Sequence, residues 1–485
     1  MPGEAAASSA HRTLGSPERP LRVAIVGSGP AGFYAAEALF KRDDLRARVD
    51  MFDSLPMPYG LVRYGVAPDH QSIKKVIKTY EKSAERPGFR FFGNVELGRD
   101  VTVEELAARY DAICWAVGSA TDRRMNVPGE DLEGSHSATA FVGWYNGHPD
   151  FRDCVFDLAQ ERVAIVGVGN VAMDVCRILI RDPADLVETD ICEHALEALR
   201  ESRVKEIWVF GRRGVAQAAF TPKEIKEIGE LPGVDLVVRP DDVRADETGA
   251  AALEDYNARK NVEYLAEKAA AGESGHPKKV HLRFFESPVE ILGENGRTVA
   301  IKIEKCELVP DANGVPRARG TGVHETIPVG LVFRSIGYHG VPIPGVPFDE
   351  RRGLVANDDG RVVDPESGRP LPGQYVTGWA KRGPTGLIGT NRADAVETVG
   401  HIVQDASGRT AEPLSEDDAA RIPRLLEERG VRFVTFDDWK TLDRLELERG
   451  AARGKLREKF VDVAETLEAL GAAKRSELPS GGSSV

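Results

Sequence analysis

The stretch Leu21-Arg22-Val23-Ala24-Ile25-Val26-Gly27-Ser28-Gly29-Pro30-Ala31-Gly32, followed by Phe33 to Phe40, decides the fold. A short apolar run rich in β-branched residues reads as a buried strand. The glycines after it make a GxGxxG turn, and the segment beyond has helical character. Gly27 permits the tight turn, Gly29 lets a pyrophosphate approach the backbone, and Gly32 lets helix and strand pack closely. Unpaired amides at the helix start, where Pro30 stands, then face the phosphates. A second strand, Arg48 to Phe52, ends at Asp53, 26 positions after Gly27. A carboxylate there can accept hydrogen bonds from adenosine ribose hydroxyls.

The same pattern returns 140 residues later. The run Arg162 to Val166 leads into Gly167-Val168-Gly169-Asn170-Val171-Ala172, a GxGxxA turn with a small alanine at its third position. The matching second strand, Glu206 to Phe210, is followed by Gly211-Arg212-Arg213-Gly214. A non-phosphorylated nicotinamide nucleotide usually meets an acid at this place. Two rigid, permanently charged guanidiniums suit a 2′-phosphate instead. The second site therefore reads as one for NADPH. The first lacks such a pair and suits FAD, and electron transfer between nicotinamide and flavin explains why one chain holds both.

The run Ala112 to Val117 closes the first segment, and the chain crosses over near residue 120. Val329 to Gly337 reads as the last strand of the second unit, and the proline-rich 342–349 as the return. Beyond it, Leu371 to Trp379 forms a turn and strand, and Thr385 to Asn391 opens a helix reaching about Ala406. The expected architecture is α/β, two Rossmann-like dinucleotide-binding domains with the NADP domain inserted within the FAD domain. The FAD domain takes residues 21–120 and 345–475, ending in a helical extension with helices at Glu416 to Arg429 and Lys455 to Leu470. The NADP domain takes 121–344, with a helix within Asp242 to Ala271 and a solvent loop at 271–277. Residues 1–20 and 476–485 are expected to be disordered.

A chain of 485 residues, 41% hydrophobic and 29% charged, has enough apolar material for sizeable cores. Its net charge of −13 argues against nucleic acid or acidic lipid as a general partner. The five cysteines, at 114, 154, 176, 192 and 306, contain no CxxC pair, so neither a redox dithiol nor a compact iron–sulfur or other metal site is expected. With no apolar leader or membrane-length apolar run, the expected location is the cytoplasm, with no membrane partner.

Taken together, these motifs resemble the adrenodoxin-reductase-like family of NADPH–ferredoxin reductases, bacterial members especially. Besides the two turns, the resemblance rests on Pro58 to His70, Phe92 to Val95, Ala140 to Gly147, Gly211 to Gly214 and Gly378 to Gly386. It implies an FAD contact at Ala31, Asp53, Leu61, Val95, Trp379, Gly386, Leu387 and Ile388. For NADP it implies Gly167, Val168, Gly169, Asn170, Arg212, Arg213, Glu224 and Gly386. It further implies a catalytic role for His70 and Glu227 as a polar pair near the redox centre, with Trp379 close to both reacting rings. From the residues alone, the alternative for His70 is a helix-start residue, and for Glu224 and Glu227, at i and i+3, solvated helix acids. The chain departs from many two-dinucleotide flavoproteins by carrying Trp379 where they have an aspartate.

The reaction so implied passes hydride from NADPH to bound FAD, which reduces an external ferredoxin in one-electron steps. Such a partner is a small acidic iron–sulfur protein, and docking it needs local positive charge. Arg63, Lys74, Lys75, Lys78, Lys381 and Arg382 are the candidates. Two alternatives remain: the electron-input subunit of a glutamate-synthase-like complex, disfavoured by the lack of any cysteine before Cys114, and a flavin monooxygenase.

Overall fold

The computed structural model describes residues 11–243 and 251–477. A seven-stranded sheet runs in the order Asn357–Asp358, Arg361–Val363, Pro370–Val376, Ala112–Trp115, Leu21–Val26, Ala47–Phe52, Phe89–Phe92. Its last five strands are mutually parallel, which places the ends of Leu21–Val26 and Ala47–Phe52 side by side. Leu21–Val26 is buried almost throughout, as a strand covered on both faces must be. Helices Pro30–Phe40, Thr390–Ala406, Phe436–Ala451 and Val463–Glu477 share one core with it.

A second, all-parallel sheet of six strands has the order Val234–Val238, Lys278–Phe284, Glu206–Gly211, Arg162–Val166, Leu331–Arg334, Ser135–Ser137. Both chain crossings between the sheets lie together, because Thr121–Asp122 pairs antiparallel with Tyr338–His339. Between Lys278–Phe284 and Leu331–Arg334 the chain builds an antiparallel meander of Glu286–Glu294, Arg297–Pro310 and Pro316–Pro328. This meander lies outside the two-Rossmann plan expected from the sequence. Ile291, Ile301, Ile303 and Ile327 pack its inner face against Val166, Phe210 and Val332.

Three expectations about the periphery change. Residues 11–20 are not frayed: Arg12–Thr13 pairs with Thr410–Ala411, Leu14 is buried, and Arg19 forks onto Asp111 at 2.8 and 2.9 Å. Residues 1–10 lie outside the described residues. The helix expected at Lys455 to Leu470 spans Val463–Glu477, so the tail expected from 476 lies outside the described residues from 478 onward. The residues before it form an irregular segment, preceded by a helix not foreseen, Phe436–Ala451. In the acidic stretch, the helix is Tyr256–Ala271.

Candidate functional site

Both glycine turns close as their spacing requires. At Gly27 (φ 107°) an added Cβ would sit 2.4 Å from the Ala116 carbonyl oxygen, and at Gly167 (φ 128°) 2.0 Å from that of Ser335. At Gly32 it would sit 2.1 Å from the Gly27 carbonyl oxygen, so strand, turn and helix are packed against each other. Gly29 and Gly169 differ in kind, since an added Cβ would meet nothing within 4 Å. Each of these two is the residue before its helix, and neither helix start is capped by a side chain. Two open, amide-lined spaces result, each of the form that takes a diphosphate.

The first cradle is enclosed by segments distant in sequence. Tyr59 donates its amide to the Ser28 carbonyl at 3.0 Å, and a Cβ on Gly60 would fall 2.9 Å from Gly29 Cα. Gly378 closes the opposite side, a Cβ there falling 2.5 Å from that of Ala31. Asp53 turns toward the glycine turn, accepting from the Ser28 amide at 2.9 Å, the Ser28 hydroxyl at 2.5 Å and the Leu55 amide at 3.0 Å. Burial pushes its carboxyl up, and those three donors pull it back. Leu61 opens the short helix Leu61–Tyr64, and buried Val95 donates its amide to the Asp53 carbonyl at 2.9 Å. Gly386 and Leu387 are exposed and Ile388 half-buried just before Thr390–Ala406. Trp379 packs its ring 5.2 Å from that of Tyr338 on the crossing strand, and its buried Nε1 has no hydrogen-bond partner among the described residues. Where an aspartate was missing from the sequence pattern, Asp394 supplies a carboxylate at the Gly378 amide and the Thr377 hydroxyl.

The second cradle is framed differently. The Val168 carbonyl accepts the Ala219 amide at 2.9 Å, and Asn170 Oδ1 accepts that of Thr221 at 2.9 Å. Thr221 is the residue before helix Pro222–Gly229, so the turn positions the helix carrying Glu224 and Glu227. Arg212 and Arg213 are exposed on the loop after Glu206–Gly211, and among the described residues neither forms an ion pair. Desolvation of its guanidinium, and then the charges of Arg212 and Arg317, lower the Arg213 pKa.

Between the cradles lies a buried cluster drawn from both domains. His70 Nε2 stands 2.7 Å from Glu227 Oε2 and 3.9 Å from Glu224 Oε2, and Nδ1 is 3.8 Å from Asp174. Arg177, which the sequence reading missed, sits at its centre. It pairs with Asp69 and Asp174 at 2.6 Å each, with Glu224 at 3.2 Å, and lies 3.6 Å from Glu227. Its i, i+3 spacing from Asp174 on one helix was the available signal. Burial raises the carboxyls of Glu224 and Asp174, whereas Arg177 holds Asp69 below the usual range despite burial. His70, Glu224 and Glu227 offer three converging ligand atoms, but the Arg177 guanidinium beside both carboxylates opposes a metal cation there.

Four of the six docking candidates are spent inside the protein. Arg63 is buried on Glu446, Lys74 on Asp190 at 2.7 Å, and Lys381 between Asp394 at 3.3 Å and Glu397 at 2.6 Å. Arg382 bonds Asn391 at 2.8 Å and Thr385. Lys75 and Lys78 are exposed. All five cysteines are free, and no helix among the described residues is long and apolar enough to cross a membrane.

Known proteins share this arrangement. The family pattern described as pyridine nucleotide-disulphide oxidoreductase matches residues 21–366. NADPH-ferredoxin reductase FprA of Mycobacterium leprae is 45% identical over 92% of this chain and 97% of its own length. The mitochondrial NADPH:adrenodoxin oxidoreductase of Bos taurus is 43% identical over 94% and 93%. The solved structure of Mycobacterium tuberculosis FprA in complex with NADPH superimposes with a TM-score of 0.88 at 43% identity, covering 93% of this chain and 100% of that one. With two dinucleotide cradles meeting at one buried polar cluster, and likeness running nearly end to end, this chain belongs to the pyridine nucleotide-disulphide oxidoreductases, and among them to the adrenodoxin-reductase-like family.

Proposed function

We propose that this protein is an FAD-dependent NADPH:ferredoxin oxidoreductase. One observation carries the reading. Two open phosphate cradles, only the second followed by arginines without an ion pair among the described residues, flank a domain boundary that the His70–Glu227 hydrogen bond spans at 2.7 Å. When bound, the two cofactors supply the redox chemistry, a hydride in and single electrons out.

The residues present fit both groups. The free amides of Gly29, Ala31 and Gly32 and the space over Gly29 would take the FAD diphosphate, and Asp53 would lie toward the adenosine ribose. Pro30 has no N–H, and the Gly27 and Ser28 amides already donate to Phe52 and Asp53. Leu61, Val95, Trp379, Gly386, Leu387 and Ile388 enclose the rest of that cofactor, and the Trp379 Nε1 left unpaired is free for it. Gly167 to Asn170 would hold the NADPH diphosphate, Arg212 and Arg213 would grip its 2′-phosphate, and Glu224 would contact the same cofactor. Trp379, whose ring packs against Tyr338 on the crossing strand, would line the space for the reacting rings. His70 and Glu227 hold one proton between Nε2 and Oε2 beside them and fix the spacing of the two domains. With its cysteines separate and free, the chain has no dithiol to relay electrons, so the acceptor is external. We assign that role to a small acidic iron–sulfur protein in the cytoplasm, with Lys75 and Lys78 as exposed cations on the flavin domain and an association weakened by salt.

The test is an anaerobic titration of the purified yellow holoenzyme. NADPH should bleach the visible flavin band at far lower concentration than NADH, and reoxidation should be slow until a ferredoxin is added. Equal response to both nucleotides, or NADPH consumption tied to oxygen and an organic substrate without ferredoxin, would count against the assignment.

A further inference from the structure

Between helices Phe436–Ala451 and Val463–Glu477, residues Lys455 to Asp462 run without regular structure across the junction of the two domains. Lys459, 1% exposed at its side chain, is the centre of this strap. Its ammonium donates to Asp190 of the inserted domain at 3.1 Å, to the Asn146 carbonyl at 3.1 Å and to the Arg63 carbonyl of the flavin domain at 3.3 Å. Asp190 in turn accepts from Lys74 at 2.7 and 2.8 Å and from Gln71 at 2.7 Å. Gln71 and Lys74 are the first and last residues of the single helical turn that begins at His70. Three distant stretches of chain therefore converge on one buried carboxylate, one turn from the residue that meets Glu227.

Flanking contacts hold the strap to both sides. Lys455 pairs with Glu193 at 3.0 Å and Glu458, Arg152 with Asp462 at 2.7 Å, and Glu446 accepts the Phe460 amide at 2.9 Å while pairing with Arg63. Of these five cations and five carboxylates, Lys459, Lys74, Lys455, Arg63, Asp190, Glu446 and Glu458 are buried, which costs desolvation, and truncating one of them leaves its partner charge buried. Such a node specifies geometry more than it adds stability.

We infer that this strap, through Lys459, fixes the inserted domain on the flavin domain so that His70 stays on Glu227, making Lys459 a positioning residue for hydride transfer. The inference rests on the role proposed above for His70 and Glu227.

The test is stopped-flow reduction of the holoenzyme carrying Lys459→Met, which leaves Asp190 its bonds to Lys74 and Gln71. At saturating NADPH, flavin reduction should slow by about tenfold. The half-saturating NADPH concentration should stay within about twofold, because Arg212 and Arg213 lie within one domain. In a His70→Ala background the same substitution should cost less than about twofold further, the non-additivity of residues acting through one contact. A wild-type rate in Lys459→Met, or the full tenfold loss repeated in His70→Ala, overturns the inference. Should His70→Ala alone leave the rate unchanged, the His70 reading fails and hydrogen exchange decides about the strap. Faster exchange across 61–75 in Lys459→Met sustains it, and unchanged exchange removes it. If Lys459→Met does not retain FAD, Arg152→Ala, which cuts the exposed link to Asp462, replaces it with an expected loss of about threefold.

Discussion

The two glycine turns share a backbone and part company one strand later. After Gly27 to Gly32, the second strand ends in Asp53, whose carboxylate already accepts three hydrogen bonds from Ser28 and Leu55. After Gly167 to Ala172, it ends in Arg212 and Arg213, which among the described residues have no charged partner. On the reading proposed above, the turn takes the diphosphate, and the charge beyond the second strand, with whether it is already used, selects the nucleotide that brings it.

The comparison breaks most severely at the arginines. Arg212→Ala with Arg213→Ala removes two charge-assisted contacts of about 1.5–3 kcal/mol each, so the KM for NADPH should rise roughly a hundredfold to ten-thousandfold. KM for NADH should barely move, and equal losses for the two nucleotides would overturn the 2′-phosphate assignment. Next in size is Gly32→Val. Its Cβ falls 2.1 Å from the Gly27 carbonyl oxygen, backbone that cannot yield, so a loss of about 3 kcal/mol or more is expected. The readouts are the melting temperature and the flavin content of the purified protein.

Much of this was legible in the sequence because a GxGxxG turn is a local rule: strand, turn and helix are contiguous, and each glycine's reason lies within a few residues. The positive patch was not. Arg63 and Lys74 look like surface cations until Glu446 and Asp190, 383 and 116 residues away, are brought onto them. Charge in a sequence says nothing about burial without its partner. The meander of Glu286 to Pro328 escaped because only its inner isoleucines alternate, while its outer half is exposed on both faces. Helix Phe436–Ala451 did leave a signal: Thr435 and Asp438 form a capping box, with bonds of 3.0 and 3.2 Å, ahead of Phe436, Trp439 and Leu442 at helical spacing.

Gly169→Ala probes the opposite property from Gly32→Val. The space at Gly169 is empty of protein, so folding should change by about 1 kcal/mol or less, the cost of altering a helix cap. NADPH affinity should nevertheless fall by about 2 kcal/mol, roughly thirtyfold, because the new methyl takes the place of the diphosphate. Calorimetry with NADP⁺ against the melting curve separates the two, and parallel losses in both would show that Gly169 is there for folding.

The smallest effect concerns the acids that the helices beside the second cradle, Asn170–Ile180 and Pro222–Gly229, bring to the shared cluster. Burial, and then the charge of Asp174, raise the Glu224 pKa above the ordinary glutamate value. A carboxyl raised on folding contributes its stability below the unfolded-state pKa and loses it as the pH climbs through the folded one. Glu224→Gln cannot lose a proton, and its amide oxygen can still accept from Arg177, which lies 3.2 Å from Glu224 in the wild type. The variant should therefore melt slightly higher than wild type at pH 7, with the gap closing as the pH falls toward the ordinary glutamate range. A gap that widened on acidification would mean that the glutamate is held ionised by Arg177, and that the second cradle is no more strained by its charges than the first.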